Sequence, residues 1–456
     1  MQKSFPGLSR GQSIALVATA IVGLGLVIAG APLLFLGALG VLILVSFFVW
    51  KPTLGVYAMC IVLPLIGWEF SIATLYFTPI DLIALLAVLS LFTRASWTRV
   101  FGNNPQPLRW PFWKVFLAFF IVVIISNFLN PGLFSSLWYG LRVVIFLYFA
   151  YIVLPASVIE DKRQLRTALS CIAVSGAAVA ILSLATLYGQ FIDAEFFRIR
   201  GIRLFGIYPF GANHNLIAEY LIVTNFCLLA LKYWCEPGAW RRAITIIFSI
   251  FAVVSLATFS RAAWIAIGVQ LAVFFFYRRT NRVKLLIATL ALAILCTPLV
   301  LKMSDLQSYN TSSTASRVLL TQIAEASVLE KPLFGFGSGN FINIIRKNIR
   351  FNAQYGEPLE SHGMIQKVAV EHGIIGIAIF MLIILLIFRR LFSSRFMEGK
   401  ARDLILPLAV ASLGGFVFQV FNTSYYKGKL WLPVGLALVA ANLVMMEKKK
   451  HVSAKN

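Results

Sequence analysis

Four histidines occur in the 456 residues, at positions 214, 362, 372 and 451, so each can be weighed alone. His451 belongs to a KKKH run and reads as a solvated charge. His214 lies between two asparagines, where helix capping is the simple explanation. His372 falls two turns inside an apolar run and reads as a packed, hydrogen-bonded residue. His362 differs, because Glu360-Ser361-His362-Gly363 marks the junction between a long polar loop and an apolar helix. A neutral imidazole there can take a proton from a hydroxyl, and a positive helix end or nearby arginines would favour the neutral form. Helix capping is the plainer role for the same residue.

Arginines supply the complementary chemistry. Arg198, Arg200, Arg203, Arg261 and Arg317 fall in segments on the same side of the apolar runs as His362. A guanidinium fork binds phosphate oxygens bidentately, so two or three such side chains converging would make a diphosphate clamp. Acidic residues on that side, Asp193, Glu195, Asp305 and Glu325, are isolated, with no paired carboxylates and no DxD. No metal site and no cofactor is expected, and the arginines take over the charge neutralisation that a divalent ion supplies elsewhere. The five cysteines, Cys60, Cys171, Cys227, Cys235 and Cys296, show neither metal-ligand spacing nor a disulfide framework.

The elements that must position these residues are set by composition. The chain is 60% hydrophobic and 12% charged, whereas a soluble domain is about 25% charged. A soluble enzyme is excluded. Apolar runs of about 17 to 25 residues predict an all-α fold, a polytopic helical membrane bundle of about 12 to 14 spans. Continuous apolar runs also exclude a β-barrel, whose strands alternate. The runs extend from 14–30 to 430–446, with 54–67 and 243–259 the least marked and 285–301 the last before a long loop. The start, before 14–30, reads as leading into an uncleaved first helix.

The net charge of +23 would suggest nucleic acid in a soluble chain. Here the basic residues lie mostly in short segments between spans, so no nucleic acid is expected and membrane lipids are the natural partner. Placing most of those charges inside puts both termini in the cytoplasm. The opposite face then carries two unusual segments, 189–212 and about 302–361. The longer is too apolar for a disordered linker and predicts a folded, mainly helical cap. The resulting division is an N-terminal bundle, 1–301, that includes loop 189–212, then a large loop, 302–362, then C-terminal helices and a basic tail, 363–456. Within spans, Arg142 and Lys367 need a partner, a wet cavity or a path to the interface.

Three stretches resemble one family. Ser361-His362-Gly363, nine residues, then Gly373-Ile374-Ile375-Gly376 resembles the signature of the bacterial O-antigen ligase and polymerase superfamily: a histidine, a polar residue, nine residues and G-x-x-G. Thr258-Phe259-Ser260-Arg261-Ala262-Ala263-Trp264 resembles its SRGAW-like helix start. Arg317, followed by Lys331-Pro332-Leu333-Phe334-Gly335-Phe336-Gly337-Ser338-Gly339-Asn340-Phe341, resembles its arginine and PLFGxGxGxF loop. The likeness covers about 198–387 and departs at Gly363, where ligases usually carry Asn, Ser or Gln.

The resemblance implies a GT-C-type glycosyltransferase of the bacterial inner membrane with a periplasmic active site. The donor would be a glycan on undecaprenyl diphosphate. The acceptor hydroxyl would belong to lipid A-core in a ligase of lipopolysaccharide biosynthesis, or to another repeat unit in a polysaccharide polymerase. Protein O-glycosylation is a third variant. His362 would be the base, Arg317 the essential arginine, and Arg200 or Arg203 the earlier donor-binding arginine, with Arg261 beside them. Arg203 precedes a Phe-Gly turn, whereas Arg200 stands before Gly211 as in an arginine pattern of the polymerases. The competing class is a lipid-glycan flippase or other transporter, which would place ionisable residues at mid-membrane depth and show interrupted helices in matching halves.

Overall fold

The computed structural model describes residues 32–68, 70–72, 75–101, 107–130, 133–192, 198–236, 238–278, 307–423 and 425–453. The expected spans 14–30 and 285–301, with Cys296, Asp193, Glu195 and Asp305, lie outside the described residues.

The first half comprises α1 (Pro32–Trp50), α2 (Thr53–Val62), a hairpin of β1 (Phe70–Ile72) and β2 (Leu75–Phe77), α3 (Pro79–Phe101), α4 (Trp113–Phe128), α5 (Leu133–Val143) continuing as a π-helical stretch, Val144–Val153, α6 (Leu154–Val158) and α7 (Lys162–Ile192). The second half comprises α8 (His214–Trp234), α9 (Ala239–Ala257), α10 (Arg261–Arg278), α11 (Gln307–Glu330), α12 (Phe341–Lys347), α13 (Ile349–Tyr355), α14 (Met364–Leu391), α15 (Gly399–Gln419) and α16 (Gly428–Ser453). Among the described residues, nine helical stretches are long and apolar enough to cross a membrane, and three shorter apolar helices accompany them. The run at 54–67 is the short α2. The chain is a multi-pass helical bundle.

Burial shows what solvent surrounds it. Helices α8, α15 and α16 are buried along most of their length, with α8 packed against α7, α9 and α15. The outer helices turn apolar side chains outward at helical spacing: Leu117, Ile121, Ile124 and Phe128 on α4, and Ile246, Ile250 and Val253 on α9. An exposed apolar stripe is costly in water and neutral in hydrocarbon. Two pairs of charged residues lie inside the bundle: Arg142 reaches Asp81 at 2.6 Å, and Lys429 and Glu219 stand 3.7 Å apart. Gln419 also donates to Glu219 at 2.7 Å.

The cap has a core of its own. On α11, Leu319, Leu320 and Ile323 pack with Phe341 and Ile345 of α12, Phe351 of α13 and Val370 of α14. Its connecting loop enters the bundle at a break in α14, where Gly373 takes φ 68° and ψ −170°. Such a break frees backbone groups that hydrocarbon cannot satisfy. Phe336 and Gly337 donate to the carbonyls of Val370 and Glu371, at 2.9 and 2.8 Å. Beyond the break, Ile374 and Ile375 donate to Pro332 and Leu333, at 2.8 and 3.4 Å. The approach is so close that a Cβ on Gly373 would lie 2.2 Å from the Leu333 carbonyl oxygen, and one on Gly335 2.4 Å from that of Val370. Gly335 of the loop and Gly373, the first glycine of the G-x-x-G sequence, are thus two halves of one contact.

Candidate active site

His362 sits just before α14, which begins at Met364 after Gly363 in extended conformation. The first helical turn closes from Lys367 N to Gly363 O at 3.1 Å, and Ser361 Oγ donates to the same carbonyl at 3.1 Å. The imidazole is half-buried. Burial is the larger cause and the Arg317 guanidinium the second in holding its pKa below the ordinary histidine value. Both act against the charged form, so the side chain is a neutral base at neutral pH.

Arg317 comes from the middle of α11. Its own pKa is lowered, first by burial and then by Arg261. Its Nε is buried and has no hydrogen-bond partner among the described residues, an arrangement that favours an incoming anion. A short relay ties its backbone to the His362 helix: Gln366 Nε2 donates to Thr321 Oγ1 at 2.7 Å, and Thr321 Oγ1 donates to Arg317 O at 2.9 Å.

Arg261 is the first residue of α10 and is exposed. The local sequence explains its position. Phe259 turns the chain at φ 55°. Ser260 Oγ then accepts from Ala263 N at 3.4 Å as an N-cap, and the Trp264 indole donates back to Leu256 O at 3.2 Å. Arg261, Arg317 and His362 therefore form one electrostatic group built from three separate stretches.

The other arginines stand on segment 198–211. Ile199 N donates to Ala257 O at 3.0 Å, which anchors the segment to the end of α9, four residues before Arg261. Arg200 and Arg203 are exposed; Arg200 N donates to Thr186 Oγ1 at 3.3 Å, and Arg203 Nε is turned onto Gly206 O at 3.1 Å. Arg198 contacts the His214 ring, so that histidine has a charged neighbour in addition to the capping asparagine, Asn213, which accepts from Asn215 N at 2.9 Å.

Two polar groups support these residues, and of their members the sequence points only to Lys367, as an ion that needs a partner, and to His372, as a packed, hydrogen-bonded residue. The first is Ser126, Asn127 and Asn130 at the end of α4. Ser126 Oγ donates to Glu371 O at 2.6 Å, Asn127 Oδ1 accepts from Ser338 N at 2.7 Å, and Asn130 Nδ2 donates to Gly335 O at 3.1 Å. Their signal was three polar residues closing an otherwise apolar run. The second is a chain of polar groups around the first turns of α14. Lys367 Nζ donates to Glu360 Oε2 at 2.7 Å and stands 3.8 Å from Glu371 Oε1. Tyr425 donates to Glu371 Oε2 at 2.9 Å and lies 3.1 Å from His372 Nε2. Burial foremost, and Glu371 next, push the Tyr425 phenol well up, so it stays protonated as the donor. His372 is fully buried, with its ring edge-on to Phe119. Among the described residues no cluster of His, Cys, Asp or Glu could hold a metal ion.

A multi-pass helical membrane protein with a histidine and arginines gathered at one end, where a loop is locked into a broken helix, is the class that fold and site define. Residues 245–381 match the model of a family described as O-antigen ligase. That match supports a likeness to the O-antigen ligase and polymerase superfamily, a family of glycan-transferring, glycosyltransferase-like enzymes, over this stretch of the chain. The matched residues include Arg261, Arg317, His362, Gly373 and Gly376, whereas Arg200 and Arg203 precede them. Comparison with curated proteins finds no match.

Proposed function

We propose that this protein moves a glycan from undecaprenyl diphosphate to an acceptor hydroxyl at the outer face of the bacterial inner membrane. The observation that carries the reading is the position of Arg317, which acts electrostatically on a neutral His362 at the start of α14 and is itself acted on by Arg261. His362 accepts the proton of the acceptor hydroxyl as that oxygen bonds to the anomeric carbon. The bond from that carbon to the diphosphate oxygen breaks on the opposite side, so the centre inverts. Negative charge then grows on the departing diphosphate, where Arg317 and Arg261, with Arg200 or Arg203 from the neighbouring segment, stabilise it. The prenyl chain lies along an apolar helix face, and burial of its many methylenes holds the donor in register.

The basic short segments favour cytoplasmic termini and a periplasmic cap built from 302–362. The acceptor is lipid A-core in a ligase or another repeat unit in a polymerase; the chemistry at His362 is the same in both. Reconstitution of the full chain with a purified lipid-diphosphate glycan tests the reading. Glycan joined to each offered acceptor, with release of undecaprenyl diphosphate, is the expected result and reveals which acceptor is used. Passage of unchanged donor across the bilayer without product would make the protein a flippase.

A further inference from the structure

At the end of the bundle opposite His362, a cavity of about 430 Å³ opens between segment 107–112, the last turn of α14 and the last turns of α16. Helix α14 spans 28 residues between the two sites, about 40 Å at 1.5 Å per residue. Arg109 and Arg390 line the cavity together with Asn442, Trp110, Met445 and Met446, and among the described residues no carboxylate does. The nearest acid in sequence, Glu447, is taken by Lys162 at 2.5 Å.

The two arginines are held differently. Arg390 Nη2 donates to Asn442 Oδ1 at 2.7 Å, and its guanidinium lies over the Phe112 ring at 5.9 Å. Its Nε is buried and without a hydrogen-bond partner among the described residues. Arg109 is fixed through its backbone, whose N–H donates to Ser157 Oγ at 3.0 Å, which leaves its half-buried side chain to the cavity. Two guanidinium groups lining one cavity without an acid repel each other, and a bound anion removes that cost. Trp110 is 40% exposed at the rim, the place an amphipathic ring takes at a membrane interface. Leu438, Met445 and Met446 make the remaining wall apolar.

The geometry points to a binding site for one anionic phospholipid, its phosphate on Arg109 and Arg390 and its glycerol and upper acyl chains on Trp110, Met445 and Met446. The site is separate from the transfer chemistry. It would clamp the 107–112 segment to the ends of α14 and α16 from the lipid side. Such a site fits the leaflet that carries anionic headgroups and faces the basic segments of the chain.

Native mass spectrometry of the full chain in neutral detergent tests this with phosphatidylglycerol and with phosphatidylcholine of the same acyl chains. The expected result is preferential retention of phosphatidylglycerol by the wild type. Arg109→Gln, which removes no side-chain bond to the described residues, should lower that retention about tenfold. Arg109→Lys should keep most of it, and Arg242→Gln, at an exposed position on α9 outside the cavity, should change nothing. Equal retention in Arg109→Gln and wild type, or equal retention of the two lipids, would overturn the site. Displacement of the lipid by an equal concentration of inorganic phosphate would overturn the lipid and assign a soluble anion instead.

Discussion

At residue scale, the state of His362 decides what the site can do. Burial and Arg317 both lower its pKa, so the neutral base persists below the ordinary histidine value of about 6.5 and is lost only on further acidification. Transfer activity should therefore show an acid limb with its midpoint below that value. Arg317→Gln removes one of the two causes, and whatever activity survives should show its acid limb at higher pH than the wild type. His362→Ala should cost about 10² to 10⁴-fold in turnover, the usual span for a general base, with donor binding little changed. An acid limb that persists in His362→Gln with near-normal turnover would leave the residue an orienting or capping role. Arg317→Lys keeps a charge but loses the planar fork, so turnover should fall severely at normal membrane expression. Glu325, exposed two turns along the same helix, should tolerate Gln; equal losses at both positions would point to general damage to α11.

At element scale, the break in α14 joins the cap to the bundle. Two glycines with positive φ, which differ in ψ at −68° for Gly356 and −170° for Gly373, help to separate the contributions. Gly356, at φ 78°, has nothing within 4 Å of an added Cβ, whereas Gly373, at φ 68°, has the Leu333 carbonyl oxygen at 2.2 Å. Gly356→Ala should cost about 1 kcal/mol for the backbone alone. Gly373→Ala adds a clash that undocks four interlocking hydrogen bonds, so its cost should be several times larger and activity should fall with it. Thermal unfolding of both variants in detergent makes the comparison, and similar shifts would show that loop docking adds little. The same break explains why Arg317 and His362 can be set against each other: α11 reaches α14 through Gln366 and Thr321 on the cap side of the locked joint.

At the scale of the whole molecule, the distribution of positive charge predicts the orientation. Gln354 in the cap and Lys400 at the start of α15 are both exposed. In a background without the native cysteines, a cysteine at 354 should react with an impermeant reagent from the periplasmic side, and one at 400 only after the inner membrane is opened. The reverse pattern would invert the orientation and move the proposed site to the cytoplasm. Because arginines are assigned the diphosphate, complete chelation of divalent ions should leave transfer intact. Activity lost with EDTA and restored by magnesium alone would replace the arginine clamp with a metal-assisted one.

Hydropathy alone determined the class of fold, because partition into hydrocarbon is a local property that 20 residues display without reference to the rest of the chain. The G-x-x-G spacing and the TFSRAAW helix start were equally local, a helix break and an N-cap written in consecutive residues. Only the tertiary structure decided who partners whom. Arg142 could have snorkelled, but it meets Asp81, 61 positions away, and Lys367 meets Glu360 and Glu371. The cradle of Ser126, Asn127 and Asn130 lies about 200 residues from the loop it holds, and His362 meets the field of Arg317 across a folded cap. Such pairings leave no periodicity in the chain, since they arise when buried polar groups separated in sequence must satisfy one another away from water.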